Sequence, residues 1–224
     1  MRTGIRICVV TLLCATGAYG ASKPHVIVFG KAVSVKWFVG SSETTPIELR
    51  VRPLVVDART REFTSGSIHE ITERLFVVRR VFRVNDALPE ESPSARTWKW
   101  DRGGWLLVDR FTGRISPVSL PDFDPYYSNV SWYRDYVAYC GVSEETNKIF
   151  ALVAQVGRHK PLLKKSLGAV ADGQVPDSAC TAPVWQRQPA RVTFDAGKEQ
   201  KFVFSVRGHA LDVVSEDEDD EPAE

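Results

Sequence analysis

The chain has 224 residues, of which 43% are hydrophobic and 25% charged, with a formal net charge of +1. This length can bury a core of its own and fits one domain or two small ones, and so balanced a charge argues against nucleic-acid binding. Seven acidic residues lie within 216–224, whereas residues 21–215 carry 27 basic and 21 acidic ones. We expect the tail, 215–224, to be disordered and solvated, although it also suits screening of the basic body or a charged partner.

The N-terminal residues have the pattern of a secretory signal. Arg2 and Arg6 precede a short apolar run, and Ala18-Tyr19-Gly20 places small residues at the two cleavage positions. The run is shorter than the roughly 20 residues that cross a bilayer, and no later run reaches that length. We therefore predict a signal peptide over residues 1–20, no transmembrane segment, and a periplasmic or secreted protein. A lipid anchor on Cys14 is the weaker alternative, because the preceding Leu13 is bulky.

Short β-branched runs dominate residues 24–95. They predict N-terminal strands over His25–Phe29, Val33–Val39 and Glu48–Val56. Pro53 inside the third run predicts an edge strand or a bulge, because proline cannot donate to a ladder. Residues 57–66 are rich in Thr, Ser, Arg and Gly, which indicates a turn-like segment.

The next segment, residues 70–84, is ambiguous. Its apolar residues include a set with helical spacing, at Ile71, Leu75, Val78 and Phe82. Against this, the stretch from Phe76 onward is mostly β-branched and aromatic. We favour a strand over Leu75–Val84.

The remainder reads as strands and turns within a single β domain, 21–214. Gly103-Gly104 predicts a turn, and 105–118 predicts two strands around Phe111-Thr112-Gly113. A strand or strand pair is expected over 130–142 and a buried strand over 148–156. Residues 168–189 predict a long loop, and 190–214 a C-terminal hairpin.

Three runs in this region resemble one blade of a β-propeller of the WD-repeat or Tol-system type. They are WLLVDRFTGRI, PDFDPYYSNVSWYRDYVAY and KIFALVAQVGRHKPL. The resemblance covers about residues 105–167 and implies a blade-like segment over 98–167. A propeller needs several such units, and the sequence repeats the pattern nowhere else. We therefore expect an all-β, mostly antiparallel fold: an irregular β-sandwich or partly open, barrel-like sheets with one propeller-blade-like segment. Blades are scaffolds, so no function transfers with the resemblance.

The cysteine and histidine residues limit the kinds of site that the chain can form. Cys140 and Cys180 remain after the signal peptide, and an even pair in an oxidising compartment predicts a disulfide, with two buried thiols as the alternative. Closing a loop of roughly 40 residues would stabilise the fold by about 4 kcal/mol. The four histidines are scattered without paired spacing, so no metal site is predicted. No nucleotide-binding or hydrolase signature occurs, and no cofactor is predicted.

An aspartate cluster is the weak catalytic candidate. Asp122, Asp124 and Asp135 lie among tyrosine and tryptophan residues. Paired carboxylates beside aromatic rings are what glycoside hydrolysis uses. The competing interpretation is turn chemistry, in which aspartate caps a loop and proline fixes the backbone.

Aromatic residues supply the binding candidates: Trp98, Trp100, Tyr126, Tyr127, Trp132 and Tyr133. If exposed, such rings could stack on sugars or anchor a protein. Their competing role is packing in the core or across strands. Arg79, Arg80 and Arg83 suggest either an anion-binding groove or ion pairs at a sheet edge.

The sequence therefore predicts an exported, non-enzymatic binding or scaffold module of the cell envelope or extracellular space. Its expected partner is an envelope or extracellular protein, or a glycan. The alternative is a carbohydrate-binding or glycoside-hydrolysing protein that uses the aromatic and aspartate cluster at 122–135.

Overall fold

The computed structural model describes residues 25–37, 47–85, 98–143, 148–169, 181–195, 201–207 and 210–214. The predicted signal peptide and acidic tail lie outside the described residues. The chain is all-β, with antiparallel strands in three sheets and no helix among the described residues. The predicted fold class is confirmed, and none of the sheets closes into a barrel.

The first sheet has seven strands, in the order β1-β3-β4-β5-β6-β7, and β2 also pairs with β3. Its strands are β1 (Ile27–Phe29), β2 (Val33–Trp37), β3 (Ile47–Val56), β4 (Arg59–Glu70), β5 (Leu75–Asn85), β6 (Trp98–Asp109) and β7 (Ile115–Pro117). A buried cluster of Leu54, Phe76, Val78, Leu106 and Val108 covers one face. The predicted strand over Leu75–Val84 is confirmed, because β5 lies between β4 and β6 and buries Val77, Val78 and Val81.

Two predicted turns are wrong. Only Asp57 and Ala58 turn the chain between β3 and β4, both with positive φ, as a two-residue hairpin loop requires. The rest of 57–66 belongs to β4. Gly103 and Gly104 continue β6, and a Cβ at Gly103 would lie 3.2 Å from the Phe82 ring. Glycine here permits close packing within the sheet.

Pro53 lies near a bulge of the neighbouring strand β4. The β3–β4 ladder shifts register between Leu54 and Val55, directly after Pro53. β3 itself is an interior strand, paired with β1 and β2 on one side and β4 on the other. Pro53 itself pairs with Phe63, and the extra residue of the bulge is Arg61 of β4. The predicted edge strand is therefore wrong, and the bulge lies next to the proline and on the partner strand.

The second and third sheets are four-stranded meanders in chain order. The second contains β8 (Val130–Tyr133), β9 (Tyr136–Ser143), β10 (Lys148–Gln155) and β11 (Leu163–Ala169). The third contains β12 (Val184–Gln186), β13 (Arg191–Asp195), β14 (Lys201–Arg207) and β15 (Ala210–Val214). β12 lies inside the predicted loop 168–189, and β15 adds a strand to the predicted hairpin 190–214.

Both faces of the second sheet are buried. In β9, Val137 and Tyr139 point to one face, where Leu120 and Phe123 cover them. Ala138 and Cys140 point to the other, into a core that they share with the third sheet through Val192, Phe194 and Phe204. This burial explains the continuous apolar runs of β9 and β10. The blade resemblance stays a prediction, although β8–β11 is a four-stranded meander, as a blade would be.

Candidate functional site

A groove of about 880 Å³ lies where the three sheets meet. Its principal lining residues come from the end of β4, from β8 and its turn, and from β12 and the residues after it. We call it the seam groove and define it by His69, Trp132, Tyr133, Arg134, Trp185 and Arg187. β8 and β12 are terminal strands of their sheets, so the groove borders strands that each have an unpaired side in their own sheet.

Alternation along β8 positions its two aromatic rings. Successive side chains of a strand point to opposite faces, so Trp132 and Tyr133 reach different sheets. Trp132 stacks on His69 of the first sheet, with ring centroids 5.6 Å apart. Tyr133 stacks on Trp185 of the third sheet at 5.4 Å. Two adjacent residues thereby join three sheets.

Hydrogen bonds from neighbouring sheets fix the edge of β8. His69 Nε2 donates to the carbonyl oxygen of Arg134 at 2.7 Å. Trp185 Nε1 donates to the carbonyl oxygen of Ser131 at 3.0 Å. Side-chain donors thus satisfy two carbonyls of the β8 hairpin, which holds the floor of the groove in place. Trp132 Nε1 is buried and has no hydrogen-bond partner among the described residues.

The exposed charge of the groove is positive. Arg134 and Arg187 are exposed at its rim, and neither forms an ion pair within the described part of the chain. Arg134 has a positive φ in the β8–β9 turn, and its guanidinium lies 5.4 Å from the centre of the Tyr133 ring. The acidic lining residue Glu70 pairs with Arg110, whose hydrogen bond lowers the pKa of that carboxyl. The rim therefore suits an anionic ligand.

The three candidate aspartates stabilise turns and pairs. Asp122 forms an ion pair with Lys164 at 2.7 Å. Asp124 accepts the backbone N–H groups of residues 126 and 127, and Asp135 accepts a hydrogen bond from Gln155 Nε2 at 2.7 Å. None of the three lines the seam groove. These contacts agree with the competing turn interpretation. The seam groove does not bring the three carboxylates together.

The predicted aromatic residues divide into three groups. Trp98 and Trp100 lie at the start of β6, where Trp98 is exposed and Trp100 packs against Phe63. Tyr126 stacks on Trp37 and donates its hydroxyl to Asp101, and burial together with that carboxylate raises the pKa of Tyr126 to about 12. Tyr127 packs beside Tyr126. Only Trp132 and Tyr133 reach the seam groove.

Sequence reasoning missed His69, Arg134, Trp185 and Arg187. A signal was present for Trp185, because Val184 and Trp185 are strand-forming residues that follow Pro183 directly. His69 gave no signal, since its partner Arg134 is 65 residues away in the chain.

The predicted disulfide stays a prediction, since Cys180 lies outside the described residues. Cys140 is buried in the core between the second and third sheets. Thr181 donates its backbone N–H to the Asp195 carbonyl at 3.3 Å. The residue after Cys180 is therefore tied to the end of β13, whose Phe194 lies in the same core as Cys140.

Within the described ranges, no group of three or more His, Cys, Asp or Glu side chains is placed to hold a metal ion. The described residues also include no helix of the length and hydrophobicity that a membrane crossing needs. Comparison with models of protein families, with curated proteins and with solved structures finds no match. The proposed function therefore rests on the geometry and charge of the groove.

Proposed function

We propose that this chain is an exported, non-enzymatic binding module that holds an extended, acidic segment of another envelope or extracellular protein in the seam groove. One observation carries the proposal: two terminal strands from different sheets border a groove that combines aromatic rings with exposed arginines. Export rests on the predicted signal peptide, and the predicted disulfide agrees with an oxidising compartment.

The geometry of β12 favours a polypeptide ligand. Among the described strands β12 pairs only with β13, so alternate backbone N–H and C=O groups on its other side are not used by these strands. An extended peptide can add to such an edge through main-chain hydrogen bonds. Val184, 67% exposed, supplies an apolar contact beside it. Arg134 and Arg187 would pair with carboxylates of the ligand. Because the aromatic rings exclude water from these ion pairs, the attraction between the charges is stronger.

A glycan is the competing ligand, and the ring geometry argues against it. Sugars stack on open ring faces, whereas Trp132 stacks on His69, and Tyr133 stacks on Trp185. The Tyr133 ring also lies near the guanidinium of Arg134. The faces of these rings are therefore partly occupied by one another. The hydrolase alternative finds no support at this groove, because Asp122, Asp124 and Asp135 lie elsewhere.

Affinity capture with the purified, immobilised chain tests the proposal. Envelope extract and culture fluid from the source cells are applied to the natural chain, to an Arg134→Glu/Arg187→Glu variant and to an Arg83→Glu control. All three arginines are exposed, and Arg83 does not line the groove. Circular dichroism confirms that each variant is folded. Protein and glycan fractions are both identified.

We expect one protein partner that the natural chain and the Arg83→Glu control retain and the double variant loses. Its retention should fall as salt is raised, because the rim contacts are between exposed charges. Equal retention by the double variant would contradict the groove assignment. An enriched glycan without a protein partner would replace the polypeptide with a sugar ligand.

A further inference from the structure

A second, smaller cavity of about 270 Å³ lies between β4, the β5–β6 pair and the loop that precedes β8. We call it the polar cavity and define it by Ser65, Arg79, Arg102, Trp105 and Asn129, which all line it. It is next to the seam groove, since residue 182 lines both. None of the five defining residues lines the seam groove, so the two can be tested separately.

A bulge in β4 opens the polar cavity. Ser65 pairs with Arg79 and His69 pairs with Val77, so three residues of β4 lie opposite a single residue of β5. Gly66 begins the bulge with a φ of 72°, a conformation that glycine adopts without strain. The β4 backbone therefore leaves the ladder beside Arg79, in the interior of the sheet.

Two arginines and a tryptophan that line this cavity carry buried N–H groups. Arg79 is only 4% exposed, and one of its terminal nitrogens donates to the Pro125 carbonyl at 2.7 Å. Its Nε has no hydrogen-bond partner among the described residues. The same holds for Arg102 Nε and for the indole nitrogen of Trp105. Three buried N–H groups on three cavity-lining side chains thus have no protein acceptor in the described part of the chain. Such groups are rare in folded proteins and are costly when nothing binds them.

The charged groups around the polar cavity also favour an anion. Burial, together with the positive charge of Arg102, lowers the pKa of the Arg79 guanidinium to about 9, while Asp124 opposes the shift. Burial also lowers the pKa of Arg102. Both guanidinium groups remain charged at neutral pH. Asp124 is the acidic neighbour, and its carboxylate also accepts the two backbone N–H groups of residues 126 and 127.

We infer that the polar cavity binds a tetrahedral oxyanion, a phosphate or sulfate group, between Arg79 and Arg102. Guanidinium groups recognise such groups through charge-assisted hydrogen bonds, and the Trp105 N–H adds a neutral donor. Ser65 and Asn129 contribute polar side chains to the same wall. Because a water molecule occupies about 30 Å³ in the liquid, the volume has room for the oxyanion and for the first atoms of a molecule that carries it.

Titration of the full chain with inorganic phosphate and with sulfate tests this inference. Binding is followed by calorimetry and by the thermal midpoint, at constant ionic strength, with chloride as the reference anion. Arg102→Gln removes one guanidinium, and Trp105→Phe keeps a ring but removes the N–H donor. Arg80→Gln is the matched control, because Arg80 adjoins Arg79 in the chain but is exposed and pairs with Glu62 at 3.0 Å.

We expect saturable binding of phosphate or sulfate that chloride does not reproduce. Arg102→Gln should weaken it about tenfold or more, and Trp105→Phe several-fold. Arg80→Gln should bind as the natural chain does. Arg79→Gln is a poor first choice, because loss of its contact with the loop can unfold the protein. No saturable binding by the natural chain would overturn the inference, as would equal weakening by Arg80→Gln.

A sulfated disaccharide and a sugar phosphate form a second arm of the experiment. Tighter binding than the inorganic anion would identify the oxyanion as a group on a larger molecule. Binding equal to that of the inorganic anion would identify a free ion as the ligand. In either case the arginine variant should lose the interaction.

Discussion

Replacing Phe194 by alanine should destabilise the second and third sheets together. Phe194 is fully buried in the core that β9 and β10 share with β13 and β14, and its ring centroid lies 5.5 Å from that of Phe204. Removing a buried phenylalanine side chain loses its transfer free energy and leaves a cavity, at about 3–5 kcal/mol. Because domains of this size are stable by only about 5–15 kcal/mol, the effect should be large.

Urea unfolding measures this effect. Far-UV circular dichroism reports the strands of all sheets, and tryptophan fluorescence reports all six tryptophans: four in the first sheet, Trp132 in the second and Trp185 in the third. Both probes should shift to lower urea by the same amount in Phe194→Ala. Phe111→Ala is the control, since Phe111 is 71% exposed at a hairpin tip and its loss should cost less than about 0.5 kcal/mol.

Two results would refute the reasoning about the shared core. A loss below about 1 kcal/mol would show that Phe194 is not buried against the second sheet. Separate transitions for the two probes would show that the sheets do not unfold as one cooperative unit. In that case the seam groove would lack a fixed wall, because Trp185 belongs to the third sheet.

Three further predictions concern individual contacts. Tyr139→Phe should cost about 1–2 kcal/mol in urea unfolding, because it leaves the Pro121 carbonyl without its 2.7 Å hydrogen bond from a buried hydroxyl. Asp109→Asn should lower the thermal midpoint at neutral pH and flatten its acid dependence. Arg74 holds the pKa of Asp109 well below its usual range, so this stabilisation is present above about pH 4 and is lost as the pH falls toward the folded-state pKa. Gly141→Ala should lower the thermal midpoint strongly, because the new Cβ would lie 2.6 Å from a backbone carbonyl oxygen, whereas a matched midpoint would show that the loop before β8 moves freely.

The strands were largely predictable because their signal is local. The β-branched run from Leu75 needs no knowledge of its neighbours to be recognised as a strand. Errors arose where composition resembled a turn. The Thr- and Ser-rich part of β4 lies in a strand because it pairs with β3 and β5 and buries Thr64 and Ser65. Gly103 lies in a strand against the Phe82 ring, which leaves little room for a Cβ.

The candidate site was predictable only in part. Trp132 and Tyr133 were identified from their strand, but His69 and Trp185 become site residues through contacts between sheets. The Trp185 bond to Ser131 spans 54 residues of chain. No local pattern states which edge of one sheet meets the next, so four of the six residues that define the groove could not be assigned in advance.

Each sheet is built from one continuous stretch of chain: the first from β1 to β7, the second from β8 to β11 and the third from β12 to β15. Pairing of neighbours keeps most loop closures short, so each sheet can form as soon as its own residues are available. The second sheet would nevertheless expose Ala138, Ile149, Ala151 and Val153 until Phe194 and Phe204 arrive to cover them. During synthesis the interval between those two events is therefore the period of greatest exposure to aggregation and proteolysis. A chain that ended shortly after residue 169 would carry that apolar face permanently.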